Sequence, residues 1–152
     1  MHRYHLAIDI GASSGRHILG WIEDGKFMTE EIYRFENGLI SRNGHLCWDT
    51  RRLFEEIVCG LEKCGSTGKI PETAAIDTWG VDFALLDNQD RLIGDTFGYR
   101  DSRTFGADKL VYERVSEEEL YSRTGIQKLT FNTIYQLAAM KRDCPEQLDA
   151  TK

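Results

Sequence analysis

The sequence has 152 residues, which is enough for one domain with its own hydrophobic core. Its net charge of -6 argues against general nucleic-acid binding, because that function needs a basic surface. No apolar run reaches the length of a membrane span, and a strand pattern begins directly after Met1-His2-Arg3. We therefore expect neither a membrane protein nor a signal peptide.

The first third of the chain is predicted to form an antiparallel meander followed by a helix. Strand patterns cover residues 4–10, 16–23 and 27–36, and a short extended piece covers residues 44–48. Asp24-Gly25 is a strong hairpin signal between the second and third strands. Asp49 is a good N-cap for a helix that runs to about Cys64 and stops at Gly65. The predicted apolar face of this helix comprises Leu53, Phe54, Ile57, Val58, Leu61 and Cys64.

The second half of the chain is predicted to alternate short strands, a polar loop and helices. Strand patterns cover residues 74–79, 81–86 and 92–99, and helical patterns cover residues 106–114, 116–123 and 133–143. Ser116 and Glu119 form a capping box, and Gly125 ends that helix. The element order predicts an α/β fold that starts with the antiparallel meander.

A glycine-bracketed turn after the first strand is a candidate phosphate site. Asp9 stands near the strand end, and Gly11-Ala12-Ser13-Ser14-Gly15-Arg16 follows it. Glycine allows a backbone to bend and expose its N–H groups, which together form an anion cradle. The serine hydroxyls and Arg16 add donors that suit phosphate oxygens, and Asp9 could hold Mg²⁺ or its water shell. The alternative is an ordinary tight hairpin with polar residues, and the turn alone does not decide between the two.

Two common nucleotide-binding motifs are absent from this turn. Gly15 is followed by Arg16 rather than Lys, so the P-loop pattern fails. Gly11 and Gly15 lack the third glycine of the dinucleotide-binding pattern. The four cysteines form no C-x-x-C pair, so we expect reduced thiols in a cytosolic protein rather than a metal site.

A second set of candidate residues lies further along the chain. Trp79-Gly80 offers an apolar wall and room for close ligand approach, and Asp82 could accept hydrogen bonds from ligand hydroxyls. The alternatives are core packing for Trp79, and a structural hydrogen bond or a solvated position for Asp82. The dense charge of residues 99–104 favours an ordered polar loop, and its alternative is a set of surface ion pairs. Asn132 either contacts a ligand or caps the last helix.

Five blocks of the sequence, taken in order, resemble the FGGY family of carbohydrate kinases in the sugar kinase, actin and heat-shock ATPase superfamily. The blocks are AIDIGASSGR (7–16), YRFENG (33–38), IDTWGVDF (76–83), YRDSRT (99–104), and TGIQ (124–127) with FNTIYQL (131–137). The resemblance covers essentially the whole chain. Within the family, the Ala-Ser-Ser-Gly-Arg and Thr-Trp-Gly-Val-Asp blocks favour the branch that acts on L-rhamnulose.

The resemblance implies a ribonuclease-H-like α/β fold and a cytoplasmic enzyme that uses ATP and Mg²⁺ to phosphorylate a small sugar. It implies that Asp9 lies by the metal. It implies a first phosphate loop made of Ala12, Ser13, Ser14, Gly15 and Arg16. The residues implied at the sugar pocket are Gly80, Trp79 and Asp82. Arg100 in the polar loop and Asn132 at the start of the last helix are further candidate sugar contacts, for the reasons given above. No nucleic-acid or membrane partner is implied.

The chain departs from the family in length. Family members are much longer and have two domains, so residues 1–152 are expected to be a partial N-terminal domain without the C-terminal ATP-binding domain. The aspartate that acts as catalytic base in the family lies beyond residue 152, and Asp9, Asp77 and Asp82 do not match it. Two alternatives stay open: a kinase for another ketose or deoxy sugar, and a truncated, non-catalytic sugar- or phosphate-binding domain.

Overall fold

The computed structural model describes residues 2–152, which group into two units. Unit 1 runs through Leu39 and resumes over Asp49–Gly80, and unit 2 comprises Ile40–Trp48 and Val81–Lys152. The strands are β1 (Tyr4–Ile10), β2 (Ser14–Glu23), β3 (Lys26–Glu36), β4 (Leu39–Arg42), β5 (His45–Trp48), β6 (Pro71–Asp77), β7 (Leu85–Leu86), β8 (Leu92–Ile93) and β9 (Thr96–Phe97). The helices are α1 (Thr50–Ser66), α2 (Ala107–Tyr112), α3 (Glu117–Thr124), α4 (Thr133–Asp143) and α5 (Pro145–Asp149), with a 3₁₀ turn at Ser102–Thr104. Within the described part of the chain, no helix is both long and apolar enough to cross a membrane.

The sheet of unit 1 has the strand order β3-β2-β1-β6. Antiparallel pairing joins β1 to β2 and β2 to β3, which confirms the predicted meander. β6 pairs in parallel with the other side of β1. The turn after β1 therefore connects two strands and does not open a helix, as the absence of the P-loop and dinucleotide-binding patterns predicted.

One face of this sheet forms the core of unit 1 together with α1. Leu6, Ile8 and Ile10 alternate along β1 and are buried, as the two-residue period of a strand requires. The buried core they share also contains Leu19, Phe35 and Cys64. Leu53 and Ile57 of α1 pack against it, so the helix covers this face.

The helix α1 begins where the sequence predicts and ends later. Oδ1 of Asp49 accepts a hydrogen bond from the backbone N–H of Arg52 at 3.2 Å, which confirms the N-cap. The predicted stop at Gly65 is wrong, because Gly65 lies inside the helix. The helix ends at the C-cap Thr67, and the following Gly68 adopts the left-handed conformation with φ +72°.

Only half of the predicted apolar face of α1 packs on the sheet. The residues that pack are Leu53, Ile57 and Cys64. The exposed fractions of the others are 65% for Phe54, 37% for Val58 and 41% for Leu61. These three side chains form an apolar stripe on α1, which we call the α1 stripe.

Unit 2 has a small helical core and two small sheets. The buried residues shared by α2 and α4 are Ala107, Val111, Tyr135 and Ala139. One sheet has the order β4-β5-β9, and the other pairs β7 with β8. Ser116 Oγ accepts a hydrogen bond from the Glu119 N–H at 3.1 Å, and Gly125 follows α3 with φ +65°. The N-cap at Ser116 and the helix end at Gly125 are confirmed, whereas the Glu119 side chain of the predicted capping box accepts from Nη2 of Arg123 at 2.7 Å.

Two predicted strands of unit 2 are largely irregular. Of residues 81–86, only β7 is a strand, because the carbonyl of Val81 accepts hydrogen bonds from side chains of α4 instead of from a neighbouring strand. The predicted strand over residues 92–99 is divided into β8 and β9, because Gly94 between them adopts φ +64°.

Two elements of unit 2 were not predicted. β4 precedes β5 across Asn43-Gly44, whose φ values are +50° and +83°. An Asn-Gly pair with two positive φ angles is the favoured two-residue hairpin turn, so this dipeptide was a usable sequence signal. α5 begins with Pro145 in its first turn, a favoured helix start, but its five residues are too few to show a hydrophobic period.

Candidate functional site

The turn after β1 is held in place by the segment that follows β3. The backbone N–H of Gly11 donates to the Ser14 carbonyl at 2.9 Å and closes the turn. The backbone N–H of Asn37 donates to the Ser13 carbonyl at 2.9 Å, and its side-chain amide donates to the Gly11 carbonyl at 2.8 Å. Ala12 and Ser13 are exposed. The turn is therefore fixed at its base, and its tip is accessible.

The two glycines of this segment act differently from the prediction. Neither Gly11 nor Gly15 adopts a positive φ angle. A Cβ on Gly15 would lie 2.1 Å from the ring of Phe35, so this glycine allows β2 and β3 to pack closely. Ser14, Gly15 and Arg16 of the predicted phosphate loop lie in β2, and the turn itself is shorter than predicted.

Asp9 and Arg16 face each other on β1 and β2 and form an ion pair. Oδ2 of Asp9 accepts hydrogen bonds from Nε of Arg16 at 3.0 Å and from Nη2 at 2.8 Å. The side chains of Asp9 and Arg16 are 45% and 44% exposed. The candidate metal ligand and the candidate phosphate donor are thus paired with each other beside the turn.

The acidic residues at this edge of the sheet fit Mg²⁺. Asp9 and Asp77 are register partners near the carboxyl ends of the parallel strands β1 and β6. Nucleotide enzymes commonly bind Mg²⁺ through one or two carboxylates together with phosphate oxygens and water. Between residues 2 and 152 no group of three or more His, Cys, Asp or Glu side chains could hold a metal ion. Asp77 was not predicted as a site residue, because the predicted strand continued to residue 79, whereas β6 ends at Asp77.

In unit 2, the carboxylate of Asp82 is at the centre of a hydrogen-bond network. Its Oδ2 accepts from the indole N–H of Trp48 at 2.6 Å and from the backbone N–H of Tyr99 at 3.0 Å. Its Oδ1 accepts from the side-chain amide of Gln136 at 3.3 Å. Both carboxylate oxygens therefore accept hydrogen bonds from other residues of unit 2. This matches the structural hydrogen bond that was one alternative for Asp82. Trp48 and Gln136 were not among the site residues predicted from the sequence.

Arg100 and Asn132 lie beside this network. The guanidinium of Arg100 is 5.3 Å from the centre of the Tyr99 ring, and that ring contacts Phe131 with centroids 5.6 Å apart. Asn132 occupies the N-cap position of α4, but its side chain makes no capping bond and donates to the Gln127 carbonyl at 2.9 Å. Side-chain capping therefore does not account for Asn132. Unit 2 brings Asp82, Arg100 and Asn132 together through Tyr99 and Phe131.

The polar loop at residues 99–104 is ordered, and two of its charges are buried. Asp101 and Arg103 are only 3% and 7% exposed, which contradicts the alternative of surface ion pairs for these two. Asp101 accepts hydrogen bonds from the Leu46 N–H at 2.7 Å and contacts the His45 ring at 3.1 Å. Burial opposes ionisation of Asp101, but the hydrogen bonds outweigh it and lower its pKa. Burial lowers the pKa of Arg103.

Trp79 and Gly80 stand at the end of unit 1. The Trp79 ring packs against the core of that unit, which matches its core-packing alternative. Gly80 is exposed, and a Cβ at this position would meet nothing within 4 Å. Neither a positive φ angle nor close packing explains the glycine at position 80.

The sequence matches the model of the FGGY family of carbohydrate kinases, N-terminal domain, over residues 4–152. It is 46% identical over 149 residues to a rhamnulokinase of Oceanobacillus iheyensis, covering 98% of this chain and 32% of that protein. It is 51% identical over 143 residues to a rhamnulokinase of Halalkalibacterium halodurans, covering 94% of this chain and 30% of that protein. The chain therefore spans about a third of the length of these relatives.

Solved sugar kinases share the fold. A xylulose kinase from Rhodospirillum rubrum superposes with a TM-score of 0.81 at 19% identity, covering 98% of this chain and 31% of that one. A gluconate kinase from Lactobacillus acidophilus superposes with a TM-score of 0.80 at 18% identity, covering 99% of this chain and 30% of that one. The likeness confirms the predicted ribonuclease-H-like α/β fold, and the coverage agrees with its being incomplete.

Proposed function

The chain belongs to the FGGY family of carbohydrate kinases, and from that premise we propose that it forms the N-terminal, sugar-binding part of a rhamnulokinase. The reaction transfers the γ-phosphoryl group of ATP to the 1-hydroxyl of L-rhamnulose and yields ADP and L-rhamnulose 1-phosphate, in the breakdown of L-rhamnose. The observation that carries this proposal is the 46% and 51% identity to two rhamnulokinases over nearly the whole chain.

The proposal also concerns the organisation of the protein. Residues 1–152 form a partial N-terminal domain, and the C-terminal ATP-binding domain is supplied by sequence outside this chain. The enzyme acts in the cytoplasm, where ATP is available and a free, exposed thiol such as Cys59 stays reduced. A kinase for another ketose or deoxy sugar is the second candidate, because one hydroxyl or methyl group separates such substrates.

The phosphate side of the proposed site lies in unit 1. Asp9 would hold Mg²⁺, which when bound neutralises charge on the transferred phosphoryl group. Arg16 would then exchange Asp9 for phosphate oxygens, since a guanidinium fork suits both carboxylate and phosphate. Ala12 and Ser13 at the exposed tip of the turn, with Ser14 and Gly15 beside them, complete the first phosphate loop.

The sugar side of the proposed site uses the second set of residues. In unit 1, exposed Gly80 leaves room for close approach of a ligand, and Trp79 beside it packs on the core and could offer the ligand an apolar edge. In unit 2, Asp82 lies beside Arg100 and Asn132, whose side chains provide hydrogen-bond donors for sugar hydroxyl groups. The sugar 1-hydroxyl attacks the γ-phosphorus, the bond from that phosphorus to the ADP oxygen breaks, and the hydroxyl proton passes to a base outside this chain.

The test of this function is sugar-dependent ADP release by the full-length protein that carries this chain at its N-terminus. We expect release with Mg-ATP and L-rhamnulose, and kcat/KM for L-rhamnulose at least about ten-fold higher than for L-fuculose or D-xylulose. The assay couples ADP to NADH oxidation and varies each sugar at saturating ATP.

The 152-residue chain serves as the matched control. It should give no sugar-dependent ADP release, because the base and the ATP-binding domain belong to sequence outside it. If the full-length protein prefers another sugar, that sugar takes the place of L-rhamnulose as the proposed substrate. Dose-dependent release by the isolated chain would refute the proposed division of the site.

A further inference from the structure

We propose that Gln136 and Arg103, two buried residues without an assigned role, position the sugar side of unit 2. The proposal rests on the function proposed above. Gln136 is fully buried and Arg103 is 7% exposed, so neither offers its side chain to solvent. We call the set formed by Arg103, Gln136, Asp82, Trp48 and Tyr99 the Gln136 network.

The amide of Gln136 joins three separate segments of unit 2. Its Nε2 donates to the Phe131 carbonyl at 2.9 Å, to the Val81 carbonyl at 3.1 Å and to Oδ1 of Asp82 at 3.3 Å. Its Oε1 accepts from Nη2 of Arg103 at 2.8 Å. Because the donor end meets three oxygens and the acceptor end meets a guanidinium, only one orientation of the amide satisfies these contacts.

Arg103 makes Gln136 difficult to replace. Its guanidinium lies 4.3 Å from the centre of the Phe97 ring, and its Nε and Nη1 have no hydrogen-bond partner in the part of the chain described. The bond to Oε1 of Gln136 is therefore important for this buried cation. A buried charged group that loses a partner is costly, so Arg103 favours the single amide orientation.

The network ends next to the residues proposed to contact the sugar. The Tyr99 N–H, bonded to Asp82, directly precedes Arg100 in the chain. The Phe131 carbonyl, bonded to Gln136, directly precedes Asn132. Gln136 thus fixes the backbone beside Asn132 directly, and it holds one oxygen of Asp82, whose other oxygen fixes the backbone beside Arg100.

A purely structural role would have a different signature from a positioning role. Loss of general stability lowers the melting temperature and leaves the KM for the sugar unchanged at temperatures well below the melt. Displacement of Arg100 and Asn132 raises the KM for the sugar and leaves the KM for ATP unchanged. The two roles are therefore separated by kinetics in the full-length kinase.

The decisive variant is Gln136→Glu, which keeps the shape and the acceptor towards Arg103 but places an oxygen against three other oxygens. We expect the KM for L-rhamnulose to rise about ten-fold, as the loss of buried hydrogen bonds implies, with the KM for ATP within about two-fold of wild type. Gln89→Glu is the matched control: Gln89 is exposed, accepts from Arg91 at 3.0 Å and should leave both constants unchanged. If Gln136→Glu does not fold, Arg103→Lys is tested instead. Lysine keeps the positive charge and removes the planar guanidinium that donates to Gln136.

A second measurement does not depend on activity. In the 152-residue chain, Gln136→Glu should speed hydrogen exchange of the Tyr99 amide and the Trp48 indole N–H, both bonded to Asp82, whereas Gln89→Glu should not. An unchanged sugar KM in a folded variant, or unchanged exchange at both groups, overturns the positioning role. A wild-type kinase that acts on no sugar overturns the proposed function instead, and the exchange measurement still tests the network.

Discussion

The ion pair between Asp9 and Arg16 is an arrangement that function explains better than stability does. Both side chains are nearly half exposed, and exposed ion pairs contribute only about 0–1 kcal/mol. Removal of either charge should therefore leave the fold intact. The pair stands beside the accessible tip of the turn, at the edge where Asp9 and Asp77 lie near the carboxyl ends of parallel strands.

Asp9→Asn in the full-length kinase is therefore expected to change catalysis and not folding. Because the carboxylate would orient the metal as charge develops on the transferred group, kcat should fall about a hundred-fold with little change in the sugar KM. Asp24→Asn is the matched control: it makes the same chemical change in the hairpin at φ +48°, which asparagine tolerates. If Asp9→Asn retained full kcat, the proposed role of Asp9 as a metal ligand would be wrong.

His17 is a second residue whose environment has a measurable consequence. Its ring is fully buried between β2 and α1, and Nε2 donates to the Ile57 carbonyl at 3.3 Å. Its Nδ1 is buried without a hydrogen-bond partner among the described residues. Burial lowers the pKa of His17, and the Ile57 carbonyl and the nearby Glu56 only partly oppose it. The imidazole is therefore neutral in the folded chain at pH 7.

The chain should become less stable as the pH falls below the unfolded pKa of histidine, about 6.5. In that range the unfolded state binds a proton that folded His17 does not, so the free energy of unfolding falls by up to ~1.4 kcal/mol per pH unit. Urea unfolding between pH 7.5 and 5.5 measures this slope. His17→Gln should flatten it, whereas His2→Gln, at an exposed histidine, should not. Equal slopes in all three proteins would contradict the assignment.

At the scale of elements, α1 contains two glycines in opposite environments. A Cβ on Gly60 would lie 2.2 Å from the His17 ring, whereas a Cβ on Gly65 would meet nothing within 4 Å. Neither glycine has a positive φ angle, so alanine fits the backbone at both positions. The helix therefore approaches β2 closely at Gly60 and is free of neighbours at Gly65.

Alanine is expected to have opposite effects at these positions. Gly60→Ala should destabilise the chain by about 1–3 kcal/mol, because overpacking against a buried ring outweighs the gain in helix propensity. Gly65→Ala should stabilise it by about 0.5–1 kcal/mol, since only helix propensity and the unfolded chain change. Chemical denaturation of both variants compares the two. Stabilisation by Gly60→Ala would mean that His17 moves aside without cost.

The elements that the sequence predicted are those with local signals. The strand bounds of β1 match residues 4–10, and α1 starts after Asp49, because alternation and capping act over a few neighbouring residues. Residues 81–86 had a strand pattern but bond to side chains of α4, about fifty residues away. A local pattern cannot show such partners, and tertiary contacts overrode the strand propensity there.

At the scale of the whole molecule, the candidate site shows the same difference between local sequence signals and contacts with residues distant in the sequence. Asp9 and the turn could be proposed as a site from the sequence because they adjoin each other in one motif. Gln136 was not singled out, because its partners Asp82 and Arg103 lie 54 and 33 residues away in the sequence. The burial of Arg103 was not predicted for the same reason, since burial is set by the assembled unit.

The apolar surface of the molecule gives the last prediction. The α1 stripe exposes Phe54, Val58 and Leu61 in one area, and contiguous apolar patches bind partners or cause aggregation. We expect the 152-residue chain to bind a hydrophobic dye and to self-associate. Phe54→Lys with Leu61→Lys should reduce both, since lysine preserves the helix and breaks the patch. Tyr121→Lys, at a 60% exposed aromatic residue on α3, is the control and should change neither. A monomer with a sharp, reversible melt and no dye binding would show that the stripe does not act as an apolar binding surface.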